Sequence, residues 1–288
     1  MDSSSIQTAS GMFTIAAFDH RGSLVKVFGQ DVQNPVGQEL LTQLKILFME
    51  SFSPLCSGVL VDPVFGFPAI ARKAKNTGLI LSLESSGYND EKTAVPTMIP
   101  DWGVENVKNN YAVAKLLTYY HPGEENAEKK RKLITELGEY CRHEGVVFLL
   151  EPIFFNPFGP EALVPAAYQE VLLSSIQEFQ QHVDILKLEY PGDALTCATV
   201  TAELDVPWIL LSRGMNYEKF KEALKISLEN GCRGFAAGRT VWQEISTMKA
   251  VDGSADLMKI RSFLQTVGVE RMKELIDITE HSAQKKRA

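Results

Sequence analysis

Short apolar runs, rich in β-branched residues, recur along the chain and alternate with longer stretches of helical spacing. The runs occupy residues 13–18 (FTIAAF), 58–61 (GVLV), 79–83 (LILSL), 111–117 (YAVAKLL), 146–150 (VVFLL), 185–188 (ILKL), 208–211 (WILL) and 234–237 (GFAA). Near-continuous apolar strands are what a sheet buried on both faces requires. Between them, residues 36–53 set Leu40, Leu41, Leu44, Leu47 and Phe48 at helical spacing, and residues 125–142 do the same with Leu133, Ile134, Leu137 and Cys141. Residues 168–181 and 217–230 read alike. Repeated strand–helix units predict parallel strands joined by right-handed crossovers. The economical closed form is an α/β fold, a single (β/α)8 TIM barrel over about residues 12–250. Residues 240–248, 255–266 and 270–282 are also helical in pattern, which adds C-terminal helices over about residues 254–283. The whole chain, residues 1–288, is expected to be one such domain. The tail Lys285, Lys286, Arg287 is expected to be a frayed, solvated end.

In a barrel of this type the active site lies at the C-terminal ends of the strands. That rule converts the strands into a set of candidates. The first run ends in Asp19, His20, Arg21 and Gly22, the second in Asp62 and Pro63, the third in Glu84. The fourth carries Lys115, the fifth ends in Glu151 and Pro152, and the sixth carries Lys187 and Glu189. The seventh ends in Ser212, Arg213 and Gly214, the eighth in Gly238 and Arg239.

Lys115 and Lys187 each interrupt an apolar strand, where an unpaired charge is costly to desolvate. Two readings stand side by side. One is a structural ion pair with Glu151 or Glu189. The other is a Schiff-base lysine, which reacts as a free amine and is helped by burial and a second ammonium nearby. Glu151, one strand away, is the candidate for proton transfer. Strand alternation sets Lys187 and Glu189 on one face. Glu189 could therefore orient either lysine or be purely structural.

Barrels often bind phosphate with the loops after strands seven and eight and a nearby helix N-terminus. Here Ser212-Arg213-Gly214 and Gly238-Arg239 occupy those loops, and the Arg239 guanidinium can grip an oxyanion through a bidentate fork. Residues 152–165 (PIFFNPFGPEALVP) read as a lid, a subunit contact or a packed loop.

Composition trims the alternatives. A net charge of -7 argues against nucleic acid as a partner. The same charge looks unfriendly to an anionic substrate, unless Arg21, Lys115, Lys187, Arg213 and Arg239 gather locally. Cys56, Cys141, Cys197 and Cys232 are far apart, without a CxxC pair, so buried reduced thiols in a cytoplasmic setting are expected. No apolar run reaches the roughly 18 residues of a membrane span, and residues 1–11 do not read as a signal peptide. No GxxxxGK[ST], GxGxxG or HExxH string occurs. Of the five histidines, only His20 stands at a strand end; His121, His143, His182 and His281 read as surface residues, and no metal is expected. A homo-oligomer is left open.

These residues resemble the class I tagatose 1,6-bisphosphate aldolase family through an ordered set of strings: AAFDHRGSL (16–24), VLVDPVFGFPA (59–69), LESSGY (83–88), AVAKLLTYY (112–120), FLLEP (148–152), VDILKLEYP (183–191), WILLSRG (208–214) and GFAAGRTVW (234–242). The pattern of residues 260–275 is also similar. The resemblance implies reversible aldol cleavage of a ketose phosphate through a lysine imine, without a cofactor. It implies that Lys187 forms the Schiff base, Glu151 transfers protons, and Asp19 and Lys115 line the site. Ser212 and Arg239 would bind phosphate. Gly238, Gly214, Arg213, Arg21, His20 and Glu84 are carried as further substrate-binding candidates. The chain departs from the pattern at His20, where Gln is usual, at Arg213 in the SRG string, and in a shorter stretch between strands five and seven. These departures bear on substrate identity. Sulfofructosephosphate aldolases and the deoxy-keto-phosphogluconate aldolases share much of the pattern, and the DHRGS string with the added Arg213 is similar to the latter.

Overall fold

A computed structural model of the chain describes residues 2–85 and 91–287. Ser86, Gly87 and Tyr88 of the LESSGY string lie outside the described residues. Eight parallel strands close into a barrel in sequence order. They are β1 (Phe13–Ala17), β2 (Gly58–Val61), β3 (Gly78–Ser82), β4 (Val113–Tyr120), β5 (Phe148–Phe154), β6 (Ile185–Leu188), β7 (Trp208–Leu211) and β8 (Gly234–Ala237). Every residue of β1, β2, β5, β6, β7 and β8 is buried, as the apolar runs require.

Two strands outrun their apolar runs. β4 continues through Thr118, Tyr119 and Tyr120, paired with Pro152, Ile153 and Phe154 of β5. Glu151 is therefore inside β5 and not at its end. The first three residues of the 152–165 segment are strand, and only the remainder connects to the next helix.

The helices are α1 (Gly22–Lys26), α2 (Pro35–Phe52), α3 (Pro63–Ile70), α4 (Val104–Asn109), α5 (Ala127–Glu144), α6 (Pro165–Phe179), α7 (Ala194–Glu203), α8 (Tyr217–Glu229), α9 (Arg239–Trp242), α10 (Leu257–Phe263) and α11 (Val269–Arg287). Their starts carry local signals. Asn34 caps α2 by accepting from Gly37 N at 2.8 Å, and Asp62 caps α3 by accepting from Phe65 N at 2.9 Å. Each cap precedes a proline in the first turn. The basic tail is helical through Arg287 and not frayed, because α11 continues α10 through a π-helical turn at Leu264–Gly268. All four cysteines are free and buried. Among the described residues no helix is long and apolar enough to cross a membrane.

The chain forms two compact units. One comprises Met1–Ser3, Leu81–Leu211 and Ala223–Phe235; the other comprises Ser4–Ile80, Ser212–Glu222 and Ala236–Ala288. In the second unit, Arg271 of α11 grips Glu244 through two bonds of 2.7 and 2.9 Å, and Tyr217 OH donates to the Arg271 carbonyl at 3.2 Å. These bonds fasten the C-terminal helices. In the first unit, α5 packs so closely that a Cβ on Gly138 would lie 2.0 Å from the His182 carbonyl oxygen. Alanine there would gain about 1 kcal/mol of helix propensity but must displace backbone. Gly138→Ala is expected to lower the melting temperature with a net cost of about 2 kcal/mol. An unchanged melting temperature would show that the contact yields freely.

Candidate active site

Four of the candidates meet in the first unit. Lys115 lies mid-strand in β4 and is fully buried. Its Nζ is 2.7 Å from Glu84 Oε1 and 3.0 Å from Glu151 Oε2. The same Glu151 oxygen is 2.8 Å from Lys187 Nζ, so one carboxylate oxygen sits against two ammonium groups. Glu84 is held in turn: its Oε2 accepts from Leu117 N at 3.2 Å, and its backbone forms an antiparallel bridge with Met98 just past β3. The parallel register explains the grouping, because Leu117 lies opposite Glu151 on β5 and Lys115 is two residues earlier on the same face.

Charge counting shows what this cluster can do. Two lysines and two glutamates balance when all are ionised. The balance is kept when one proton passes from Lys187 to Glu151, leaving the Lys115–Glu84 pair ionised. Proton exchange over 2.8 Å therefore leaves the net charge of a buried site unchanged, which avoids the large cost of an uncompensated charge. Among the described residues, Glu151 is the one carboxylate within ion-pair distance of Lys187, whereas Lys115 has two. Lys187 is thus the less committed of the two lysines and the one with some access, at 4% exposure against 0%. Glu189 lies one residue beyond the end of β6 and is half-buried.

The remaining candidates stand in the second unit. Ser212 follows β7 and is buried; Arg213 and Gly214 both take positive φ, 42° and 74°. Met215 N donates back to Ser212 O at 2.8 Å, closing a tight turn whose two central residues are left-handed, as in a type I′ turn. Such a φ is unusual for arginine and natural for glycine. The turn brings Gly214 under the Arg239 guanidinium, with its Cβ position 3.5 Å from Arg239 Cζ. Gly238 N lies 3.4 Å from Ser212 Oγ. A Cβ on Gly238 would lie 3.1 Å from Ala17 O and 3.2 Å from His20 Cε1, so β8 passes close to the end of β1 at this glycine. Arg239 is exposed, and its fork is available to an anion.

After β1, Asp19 and His20 are half-buried and Arg21 is buried. His20 stands edge-on to Trp242 at 5.3 Å. Arg21 Nε is 3.5 Å from Asp62 Oδ1, so its guanidinium serves the fold here as well as any ligand. Two residues that sequence reasoning did not commit to complete the picture. Asp62 is fully buried, and Lys45 of α2, also fully buried, brings its Nζ to 2.6 Å from Asp62 Oδ2. The signal for Lys45 was its place on the stripe of Leu41, Phe48 and Phe52, all buried. Among the described residues no group of three or more His, Cys, Asp or Glu side chains converges to hold a metal ion.

Residues 13–244 match the model of the DeoC/LacD family aldolases. The chain belongs to that family. It is an aldolase, a carbon–carbon lyase. It is 27% identical to tagatose 1,6-diphosphate aldolase 2 of Streptococcus pyogenes serotype M3, over 96% of this chain and 93% of that one. It is 26% identical to tagatose 1,6-diphosphate aldolase of Staphylococcus haemolyticus, over 96% of this chain and 94% of that one. Among solved structures, it is similar to an archaeal fructose-1,6-bisphosphate aldolase with its catalytic lysine covalently bound to the carbinolamine intermediate of the substrate. That likeness has a TM-score of 0.59 and 17% identity over 92% of this chain and 96% of that one. It speaks for the barrel of this DeoC/LacD member.

Proposed function

We propose that this aldolase cleaves a ketose bisphosphate of the tagatose 1,6-bisphosphate type to dihydroxyacetone phosphate and an aldehyde, through an imine on Lys187. The observation that carries the reading is Glu151 Oε2 at 2.8 Å from one buried lysine and 3.0 Å from another. Lys187 Nζ, having passed a proton to Glu151, attacks the ketone carbon, and Glu151 returns that proton to the carbinolamine hydroxyl, which leaves as water to give the iminium. Glu151 then takes the proton of the hydroxyl on the far side of the breaking bond. The electron pair of that carbon–carbon bond flows into the iminium, the aldehyde leaves, and an enamine remains. Protonation of the enamine carbon and hydrolysis release dihydroxyacetone phosphate and restore Lys187. The iminium is the electron sink of this scheme. Lys115, fixed by Glu84, places its ammonium beside Glu151. Ser212, Gly238 and Arg239 are the proposed phosphate ligands, with Gly214, Arg213, His20, Arg21 and Asp19 shaping substrate choice. The names of the curated relatives support the tagatose substrate. Deoxy-keto-phosphogluconate and sulfofructose phosphate are the competitors to be screened beside it, since Arg213 adds a cation where a second anionic group could sit. Four buried free thiols support a reducing, cytoplasmic setting.

Borohydride reduction in the presence of dihydroxyacetone phosphate is expected to add one reduced adduct to the chain, mapped by mass spectrometry to Lys187. No adduct with this compound or with any of the candidate ketose phosphates would overturn the imine scheme.

A further inference from the structure

We infer that Lys45 is a positioning residue, whose buried ammonium fixes the backbone on both sides of Asp19. This inference rests on the proposed role of Asp19 in the site. Lys45 belongs to α2, yet its Nζ donates to Phe18 O at 2.6 Å and to His20 O at 2.8 Å. These are the carbonyls of the residues immediately before and after Asp19. Its third partner is Asp62 Oδ2 at 2.6 Å. Two hydrogen bonds and one close ion pair hold the ammonium at zero exposure.

Asp62 extends the strut. Its Oδ1 caps α3 through Phe65 N and stands 3.5 Å from Arg21 Nε. One lysine–aspartate pair therefore ties together the end of β1, the end of β2, the middle of α2 and the start of α3. The chain leaves β1 at Ala17 and enters α1 at Gly22, so residues 18–21 run between strand and helix, where Phe18 N donates to Leu60 O and Leu24 N to Arg21 O, each at 2.9 Å. The clamp supplies what regular structure does not. It comes from a long helix, the more rigid kind of support for a site residue.

The energetics favour a positional role over a merely stabilising one. A buried ion pair is weak support for stability, because desolvation offsets most of the Coulomb gain. Two apolar residues would fill the same space, but neither could hold two carbonyls at fixed distance from each other. What the ammonium adds is geometry at Asp19. Misplacement of a substrate-contacting group by about 1 Å can cost 10²-fold in rate.

The test combines a double-mutant cycle with hydrogen exchange on the full chain. Lys45→Met is expected to raise exchange in the segment 18–21 while β6 exchange stays unchanged. It should lower kcat/KM for tagatose 1,6-bisphosphate by roughly 10- to 100-fold. Asp19→Asn should cause a loss of similar size. The Lys45→Met/Asp19→Asn double variant should lose no more than about threefold beyond the worse single one, as residues acting through one another do. Borohydride trapping of dihydroxyacetone phosphate on Lys187 should persist in all three. If Lys45→Met does not fold, Lys45→Met/Asp62→Asn removes both buried charges, keeps the Oδ1 acceptor, and replaces it in the cycle. Losses that multiply in the double variant would overturn the inference. So would unchanged exchange at 18–21, whatever the chemistry proves to be. Absence of trapping in the unmodified protein would instead strike the imine scheme, leaving the exchange result to decide the strut.

Discussion

Lys187→Met is expected to abolish cleavage, with turnover lowered by more than about 10⁴-fold, on the scale seen when other covalent nucleophiles are deleted. The fold should survive. Glu151 keeps Lys115 at 3.0 Å, so after Lys187 is deleted both carboxylates still touch an ammonium, which they share. Lys115→Met differs in this respect. It takes the 2.7 Å cation partner from Glu84, which is buried, and one of the two from Glu151. Uncompensated buried charge is among the costlier defects, on the order of 3–5 kcal/mol. Lys115→Met should therefore lower the melting temperature more than Lys187→Met does, and trapping in that variant should still map to Lys187. Steady-state cleavage, thermal melts and borohydride mapping on both variants check the assignment. An adduct on Lys115, or residual Lys187→Met activity above about a hundredth of the parent, would reverse the roles of the two lysines.

The fold was legible wherever burial on both faces dictated composition. β2, β6, β7 and β8 begin and end with their apolar runs, since polar residues, proline or glycine flank them in the chain. β4 and β5 did not follow the rule. Thr118, Tyr119 and Pro152 carry the ladder onward although a proline within a strand ordinarily signals its end. Short helices such as α1, α4 and α9 span too few residues for periodicity to register.

The site was legible in its residue types and not in its wiring. A lysine inside an apolar strand announces itself, and both Lys115 and Lys187 did. That Glu84 fixes Lys115 depends on the Glu84–Met98 bridge, a contact across intervening chain that no local pattern encodes. Buried helix lysines are harder still, because a lysine on an amphipathic helix ordinarily lies in water. Lys45 shares the stripe of Leu41, Phe48 and Phe52, and Lys130 shares that of Ala127, Ile134 and Cys141. Lys130 repeats the same chemistry: its Nζ donates to Lys92 O, Tyr119 O and Glu124, each at 2.8 Å. Burial pushes the Glu124 carboxyl up and the Lys130 ammonium down, and their mutual bond opposes both. A lysine in register with an apolar helix stripe is thus a readable sign of a strut to strand-end carbonyls.

Glu151→Gln separates imine chemistry from bond cleavage. Glutamine keeps the volume of the side chain and can still hydrogen-bond, but it cannot take a proton from Lys187 or from a substrate hydroxyl. Glu84 continues to balance Lys115, while Lys187 loses the carboxylate that pairs with it. Turnover is expected to fall by about 10²–10⁴-fold, the usual contribution of a positioned acid–base group. The KM should change little, because the proposed phosphate ligands Ser212, Gly238 and Arg239 are untouched. Given long incubation, dihydroxyacetone phosphate should still be trapped on Lys187 by borohydride, since equilibrium imine needs the amine more than the carboxylate. Cleavage kinetics measured beside trapping yield give the answer. Turnover retained within about tenfold would remove Glu151 from proton transfer and pass that role to another group. Loss of trapping together with turnover would show that Glu151 is needed to make the imine itself, and that the 2.8 Å contact with Lys187 governs the first step as well as the cleavage.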